Sequence, residues 1–175
     1  MVKQGDSQEF FDKNQVRLTK PLANHDFYLV TFYMNKEKIH RLSAGAKKTL
    51  IKELTIKLIA HKEISFAYVH GSFLKENGFR DIDVAVYLKH ISSSPLTYEL
   101  EIEKELSNAA DKYEVEVRML NSSPLSFRYN VIKEGLVLFA RDDNERSDFQ
   151  EATLSSYFDF EPYRKLYLKE TLVGV

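Results

Sequence analysis

Apolar and polar residues alternate regularly from residue 43 onward, and their spacing predicts a series of helices and strands. Ser43 can cap a first helix that runs to about His61, because a serine hydroxyl can accept a hydrogen bond from a free amide of the first turn. The apolar positions of this helix recur three and four residues apart and form one stripe: Leu50, Ile51, Leu54, Leu58 and Ile59.

Four short apolar runs are typical of strands. They are ISFAYVH at 64–70, DIDVAVYL at 81–88, EVEVRML at 114–120 and LVLFA at 136–140. Two more helices are predicted between them. Ser94 and Pro95 begin one that runs to about Tyr113. The turn at Asn121–Pro124 begins the other, which ends near Glu134 because Gly135 can terminate it.

The two ends of the chain carry weaker patterns. Residues 27–34, FYLVTFYM, predict a strand, so residues 1–40 are interpreted as an N-terminal extension with one added strand or hairpin. From Asp143 the sequence predicts a helical, aromatic tail, which Pro162 should break into two pieces. Residues 41–175 are therefore predicted to form one domain with a helical C-terminal tail. Its fold class is α/β or α+β, with helices flanking a small mixed sheet.

Composition narrows the functional classes. The chain has 175 residues, 43% of them hydrophobic, which suffices for one globular core. It has no cysteine, so disulfides, thiolate metal sites and cysteine nucleophiles are excluded, and a cytoplasmic location is expected. The net charge of -1 provides no basic field for direct nucleic-acid binding. No apolar run approaches the roughly 18 to 20 residues of a membrane span, so no membrane association is expected.

Two carboxylates at the start of the second strand are the first candidate chemistry. Strands normally exclude aspartate, yet Asp81 and Asp83 occupy alternate positions of DIDVAVYL and therefore share a face. Their Cα atoms should lie about 7 Å apart, given a rise of ~3.3 Å per residue. A bound cation would relieve their repulsion, and carboxylates together with substrate phosphates are the usual ligands of Mg²⁺.

The Gly71–Ser72 turn that precedes this strand can supply a phosphate site. Glycine lets the backbone approach a phosphate closely, and the following amides and the serine hydroxyl can donate to it. A helix that begins at Ser72 would add its positive dipole end. Lys75 is a further candidate for phosphate binding, and Arg80 is interpreted as an ion-pair partner of Asp81.

A third carboxylate is available on the third predicted strand, where Glu114 and Glu116 share a face. If the second and third strands are neighbours, one of these glutamates can lie beside the two aspartates. Three carboxylates around two Mg²⁺ ions would suit phosphoryl or nucleotidyl transfer.

The pattern YVHGS followed by DIDVAV resembles the nucleotidyltransferase superfamily related to DNA polymerase β. The segment VEVRMLNSSPLSFRYNVIKEGLVLFARDD is similar to the third strand, turn, helix and final strand of its minimal nucleotidyltransferase (MNT) group. The resemblance covers residues 45–170 roughly and implies the polymerase β-like nucleotidyltransferase fold. It also implies Glu116, rather than Glu114, as the third catalytic and metal-binding carboxylate.

The resemblance further implies an antitoxin that uses ATP and Mg²⁺ to transfer AMP to a hydroxyl, namely a tyrosine of a HEPN-type toxin. Two features depart from the group. The interval between Ser72 and Asp81 is short, so the intervening helix should be clipped. The third carboxylate is glutamate where aspartate is common, which puts the rate of catalysis in doubt.

The sequence is also compatible with two other functions. A non-catalytic antitoxin would neutralise its partner by binding alone, through the aromatic residues after 149. A small-molecule nucleotidyltransferase of the aminoglycoside-modifying type would use the same acidic residues but needs a second substrate domain. A homo-oligomer is compatible with the sequence. His70 is interpreted as a packing residue, although it adjoins Gly71.

Overall fold

The structure is a computed structural model that describes residues 39–75, 78–91 and 94–173. The strand predicted at 27–34 lies outside these residues. Within them, four α-helices and four strands follow one another in the predicted order. The helices are α1 (Ala44–Ala60), α2 (Pro95–Ala109), α3 (Leu125–Glu134) and α4 (Asp143–Val173). The strands are β1 (Ile64–His70), β2 (Ile82–Leu88), β3 (Val115–Met119) and β4 (Leu136–Ala140).

The described strands form one mixed sheet in the order β3-β2-β1-β4. β1 pairs antiparallel with both β2 and β4, whereas β2 and β3 are parallel. α1 and α2 contribute to the larger core cluster on one face of the sheet. α3 and the first turns of α4 cover the other face around Phe66 and Tyr68. This confirms the α+β class predicted from the sequence.

The first helix forms as its pattern predicts. The Ser43 hydroxyl accepts a hydrogen bond from the Ala46 amide at 3.2 Å, which satisfies one free donor of the first turn. Three leucines of the predicted stripe are buried: Leu50, Leu54 and Leu58. Ile59 is 44% exposed, so the buried stripe is narrower than the predicted one.

Two helix boundaries differ from the prediction. α2 ends at Ala109 rather than near Tyr113, because Asp111 adopts a left-handed backbone with φ of 60°, which interrupts the helical repeat. The predicted break at Pro162 was wrong, since α4 continues through this residue. Proline removes one helical hydrogen bond but can remain in a helix where water solvates the freed carbonyl. Phe158, four residues earlier, is 55% exposed, so water can reach the freed carbonyl.

No described helix is long and apolar enough to cross a membrane.

Candidate active site

The register of three strands brings the candidate acidic residues to one face of the sheet. Ile82 and Val84 point into the core, so Asp83 between them faces the opposite side. Asp83 pairs with Glu116 across the parallel β2–β3 ladder and with His70 across the antiparallel β1–β2 ladder. The sequence predicted a third carboxylate beside the two aspartates if the second and third strands are neighbours, and β2 and β3 are neighbours. Glu116 lies directly beside Asp83.

Asp81 and Glu114 lie just before β2 and β3. Asp81 is partly exposed, while Glu114 is exposed and its backbone carbonyl accepts a hydrogen bond from the Ile82 amide at 2.9 Å. The structure thus brings Asp81, Asp83 and Glu116 to the same end of the two strands.

The electrostatics of this cluster reflect partial burial and like charge. Burial, followed by the charges of Asp81 and Glu116, raises the pKa of Asp83 to about 6. The pKa of Glu116 is also raised, chiefly by burial and then by the charge of Asp81, although Arg118 opposes this effect. These carboxylates accumulate negative charge at neutral pH, which favours a cation beside them.

Gly71 is fitted against Asp83 without space for a side chain. Its backbone has φ of +74°, a left-handed conformation that glycine adopts readily. A Cβ atom added to Gly71 would overlap the Asp83 carboxylate, with 2.9 Å to Cγ and less to Oδ2. The Gly-Ser turn and the carboxylate of β2 are therefore in direct contact.

The turn after β1 is a four-residue 3-10 helix, Gly71–Leu74, that ends when the Lys75 amide donates to the Ser72 carbonyl at 3.0 Å. This agrees with the expectation of a clipped helix. The helix that was expected to add a dipole is only this one turn, and the dipole of a single short turn is small. Phosphate binding here would depend on the backbone amides and on the Ser72 hydroxyl.

A cavity of about 360 Å³ adjoins this turn. Its lining residues come from the turn, from the start of β2 and from the segment before α1: Ile39, Ser72, Gly78, Phe79, Arg80 and Asp81. Lys75 is exposed and is not among the lining residues. The expected ion pair between Arg80 and Asp81 is absent from the described part of the chain, and both residues line this cavity.

His70 packs as the sequence indicated. Its ring contacts the Phe127 ring edge-on, with 5.3 Å between centroids. Burial lowers its pKa, so the imidazole is neutral at pH 7. Its Nε2 atom is buried, and no described residue hydrogen-bonds to it.

Lys47 is a residue of this region that the sequence did not single out. It lies on α1 and donates hydrogen bonds to backbone carbonyls of the Gly-Ser turn region. A lysine on a helix of mixed polarity gives no sequence signal of such a contact, because the partners are backbone atoms 26 and 28 residues away.

The residues present fit a magnesium ion in type and charge. Carboxylate oxygens are hard ligands, and Mg²⁺ is commonly held by one or two carboxylates with substrate phosphates completing its shell. Among the described residues, no three His, Asp or Glu side chains already converge as a complete metal cluster. The in-register pair of Asp83 and Glu116 beside the Gly-Ser turn is therefore the core of the candidate site.

Comparison with known proteins agrees with this geometry. Residues 52–144 match the family described as polymerase beta, nucleotidyltransferase. No curated protein sequence matches the chain significantly.

Three similar solved structures are all toxin–antitoxin complexes. In a Shewanella oneidensis complex of a tri-AMPylated HEPN toxin with MNT antitoxin, the matched chain is 21% identical; 71% of this chain and 98% of that chain align with a TM-score of 0.58.

The other two structures give nearly the same alignment. For the MntA-HepT toxin–antitoxin the identity is 21%, with 71% of this chain and 98% of that chain covered and a TM-score of 0.57. For a toxin–antitoxin with AMP-PNP the identity is 21%, the coverage is 69% and 98%, and the TM-score is 0.57. At this identity the similarity concerns the fold.

The family match spans more than half of the chain. It contains the Gly71–Ser72 turn, both aspartates and Glu116, which the fold brings to one place. The chain therefore belongs to the polymerase β nucleotidyltransferase family.

Proposed function

We propose that this protein is a Mg²⁺-dependent nucleotidyltransferase that transfers AMP from ATP to a hydroxyl group. The observation that carries the proposal is the register pairing of Asp83 with Glu116, beside a glycine turn too tight for any side chain. Carboxylate oxygens and the backbone amides of a turn are the groups that a metal–triphosphate complex would need close together.

In this proposal the cavity beside Ser72 and Arg80 receives the triphosphate. Ser72 and the turn amides donate to phosphate oxygens, and Arg80 contributes a planar, bidentate cation. Lys75, exposed beyond the turn, would reach only the outer phosphates. Asp81, Asp83 and Glu116 would hold two Mg²⁺ ions, which when bound would lower the pKa of the attacking hydroxyl and neutralise the leaving group.

The transfer step is an in-line displacement. The acceptor oxygen forms a bond to the α-phosphorus of ATP, and the bond from that phosphorus to the bridging oxygen breaks. Pyrophosphate leaves with the electron pair, and the hydroxyl proton passes to solvent. The contribution of the chain is to position the two reactants and to stabilise charge.

The acceptor that we propose is a tyrosine of a HEPN-type toxin, with this protein acting as its antitoxin in the cytoplasm. Support comes from the three similar structures, each a toxin–antitoxin complex, one with a tri-AMPylated HEPN toxin and one with AMP-PNP. The same chemistry with ATP would explain why acidic residues occupy one face of an otherwise apolar strand.

A second candidate is an antitoxin that neutralises its partner by binding alone. The observation that favours it is the end of α4, where large apolar side chains are exposed to solvent: Phe158, Phe160, Tyr163, Leu166, Tyr167 and Leu168. Such a surface suits a partner whether or not the carboxylates are active.

The experiment that separates the two candidates is intact-mass spectrometry of a HEPN protein encoded beside this chain, after incubation with this protein, ATP and Mg²⁺. On the transferase proposal the partner gains AMP units and remains inactive after this protein is removed. Glu116→Gln should suppress the gain, whereas the control Glu114→Gln, at an exposed position before β3, should not. A partner that is inhibited but never modified would support binding alone.

A further inference from the structure

The side chain of Lys47 joins α1 to the connection between β1 and β2. Its ammonium donates to the Phe73 carbonyl and to the Lys75 carbonyl, each at 2.7 Å. Both acceptors lie at the C-terminal end of the Gly71–Leu74 turn, where carbonyl groups lack helical partners.

The same ammonium lies near two aromatic rings that are buried in the core. It is 5.4 Å from the centre of the Phe73 ring and 5.9 Å from that of Phe79, within the range of cation–π attraction. The two rings contact each other edge-on at 4.9 Å. Phe73 follows Ser72 directly, and Phe79 precedes Arg80 and Asp81. Lys47 therefore contacts the connection near both of its ends.

The position of this connection controls the geometry of the candidate site. Gly71 touches the Asp83 carboxylate, so a shift of the turn would change the distance between the Gly-Ser amides and the acidic residues. Phe79 leads into the cavity-lining residues Arg80 and Asp81. Two of the three ammonium donors of Lys47 are already used by carbonyls, so its role differs from that of a phosphate ligand.

We propose that Lys47 is a positioning residue for nucleotide binding, which holds the Gly71–Leu74 turn in the orientation that accepts the triphosphate. This inference rests on the proposed nucleotidyltransferase function. It predicts that loss of the ammonium weakens binding of Mg-ATP while the aspartates and Ser72 are unchanged. It also predicts that another cation with several donors can replace lysine.

The test compares Lys47→Met, Lys47→Arg and the control Lys48→Met by calorimetry with Mg²⁺ and a non-hydrolysable ATP analogue. All proteins are first checked by thermal melting, and binding is measured well below the lowest melting temperature. Methionine keeps the apolar stem over the rings but has no donors. Lys48 is the exposed neighbour on the same helix.

We expect Lys47→Met to weaken binding about tenfold, because a turn that is no longer held must be ordered when the nucleotide binds. Lys47→Arg should remain within about threefold of wild type, because guanidinium can also donate to two carbonyls. Lys48→Met should bind as wild type. Hydrogen exchange should show faster exchange of the turn amides 72–75 in Lys47→Met alone.

Two results would overturn the inference, and they are distinguishable. If wild type binds the analogue and Lys47→Met binds equally well, Lys47 has only a structural role, even if its melting temperature falls. If wild type does not bind the analogue in the presence of Mg²⁺, the proposed function fails and the inference fails with it.

Discussion

At the scale of single residues, the candidate site depends on one glycine and one carboxylate that touch. Gly71 needs a left-handed backbone and has no room for a Cβ, because Asp83 lies directly against it. Asp83 is held there by β2, between His70 and Glu116 in register. If Gly71 were needed only to let the chain turn, there would be no reason for it to touch a charged side chain of the neighbouring strand.

Gly71→Ala should abolish Mg-ATP binding, because the added methyl group would displace the Asp83 carboxylate and the strained φ would cost about 1–2 kcal/mol. Ser72→Ala, which removes only one donor, should weaken binding by about 1–2 kcal/mol. The matched control is Gly45→Ala on α1, where the nearest atom to an added Cβ is 4.0 Å away. Calorimetry and thermal melts check these outcomes; equal binding by Gly71→Ala and wild type would contradict the proposed phosphate site.

The raised pKa of Asp83 predicts a pH-dependent stability difference in the metal-free protein. In the unfolded chain an aspartate titrates near pH ~3.9, but in the folded protein burial raises the pKa of Asp83 to about 6. The folded state therefore binds more protons between these values. Stability contributed by the protonated carboxyl is present below pH ~4 and is lost as pH rises to about 6.

Asp83→Asn should remove this loss of stability at neutral pH, because an asparagine side chain does not ionise. With EDTA present at pH 7.5, we expect the free energy of unfolding of Asp83→Asn to exceed that of wild type by about 1–2 kcal/mol, after allowance for solvent screening of a half-buried group. The difference should shrink as pH falls through 6 and vanish near pH 4. Urea titrations at several pH values measure it; a double mutant with Asp81→Asn that unfolds would instead show that the pair is structural.

At the scale of elements, α2 protects the strand that carries Glu116. Three outward amides of β3 donate to side chains of α2 rather than to another strand. Val115 donates to Ser107, Val117 to Glu103 and Met119 to Glu99, at 3.1, 3.0 and 2.8 Å. The spacing fits because four helical residues rise ~6.0 Å and two strand residues rise ~6.6 Å. A strand edge without free donors resists pairing with other chains.

Glu99→Ala should destabilise the protein by about 1–3 kcal/mol, because it leaves the buried Met119 amide without an acceptor. Glu99→Gln should cost less, since its amide oxygen can still accept. The control is Glu101→Ala, at an exposed position of the same helix. Urea denaturation monitored by circular dichroism provides the comparison. Similar losses for Glu99→Ala and Glu101→Ala would mean that the hydrogen bond contributes little.

The sequence predicted the elements better than the contacts between them. Period and capping residues located every described helix and strand, because those signals are local. The edge role of Glu99 was not predictable, since a glutamate on a helix of mixed polarity also suits a solvated face. The contacts of Lys47 were not predictable for the same reason. The pairing of Asp83 with Glu116 was predicted only on condition that β2 and β3 are adjacent, which depends on the whole sheet.

At the scale of the whole molecule, α4 divides into a packed part and an exposed part. Its first turns pack on the sheet through Phe149, which contacts the Phe66 ring at 5.4 Å, and on α3 through Tyr157. The Tyr157 ring stacks on Tyr129 at 3.7 Å. Beyond Pro162 the helix carries exposed apolar side chains. The candidate site residues and this surface lie on different elements, so the proposed nucleotide binding and the proposed partner binding can be altered separately.

The last prediction uses this separation. Tyr163 and Tyr167, which are 71% and 67% exposed, lie one helical turn apart on one side of α4. Replacing both with serine should weaken binding of the proposed HEPN-type partner at least about tenfold, because aromatic residues dominate protein interfaces. ATP binding should be unchanged, since the candidate site is built from β1, β2 and β3.

The control replaces Lys165 and Lys169 with serine, also one turn apart and exposed on the same part of α4. Surface plasmon resonance measures the partner affinity and calorimetry the nucleotide affinity. If the lysine and tyrosine variants lose affinity equally, the apolar surface has no specific role; if the tyrosine variant binds the partner as wild type does, the partner docks elsewhere.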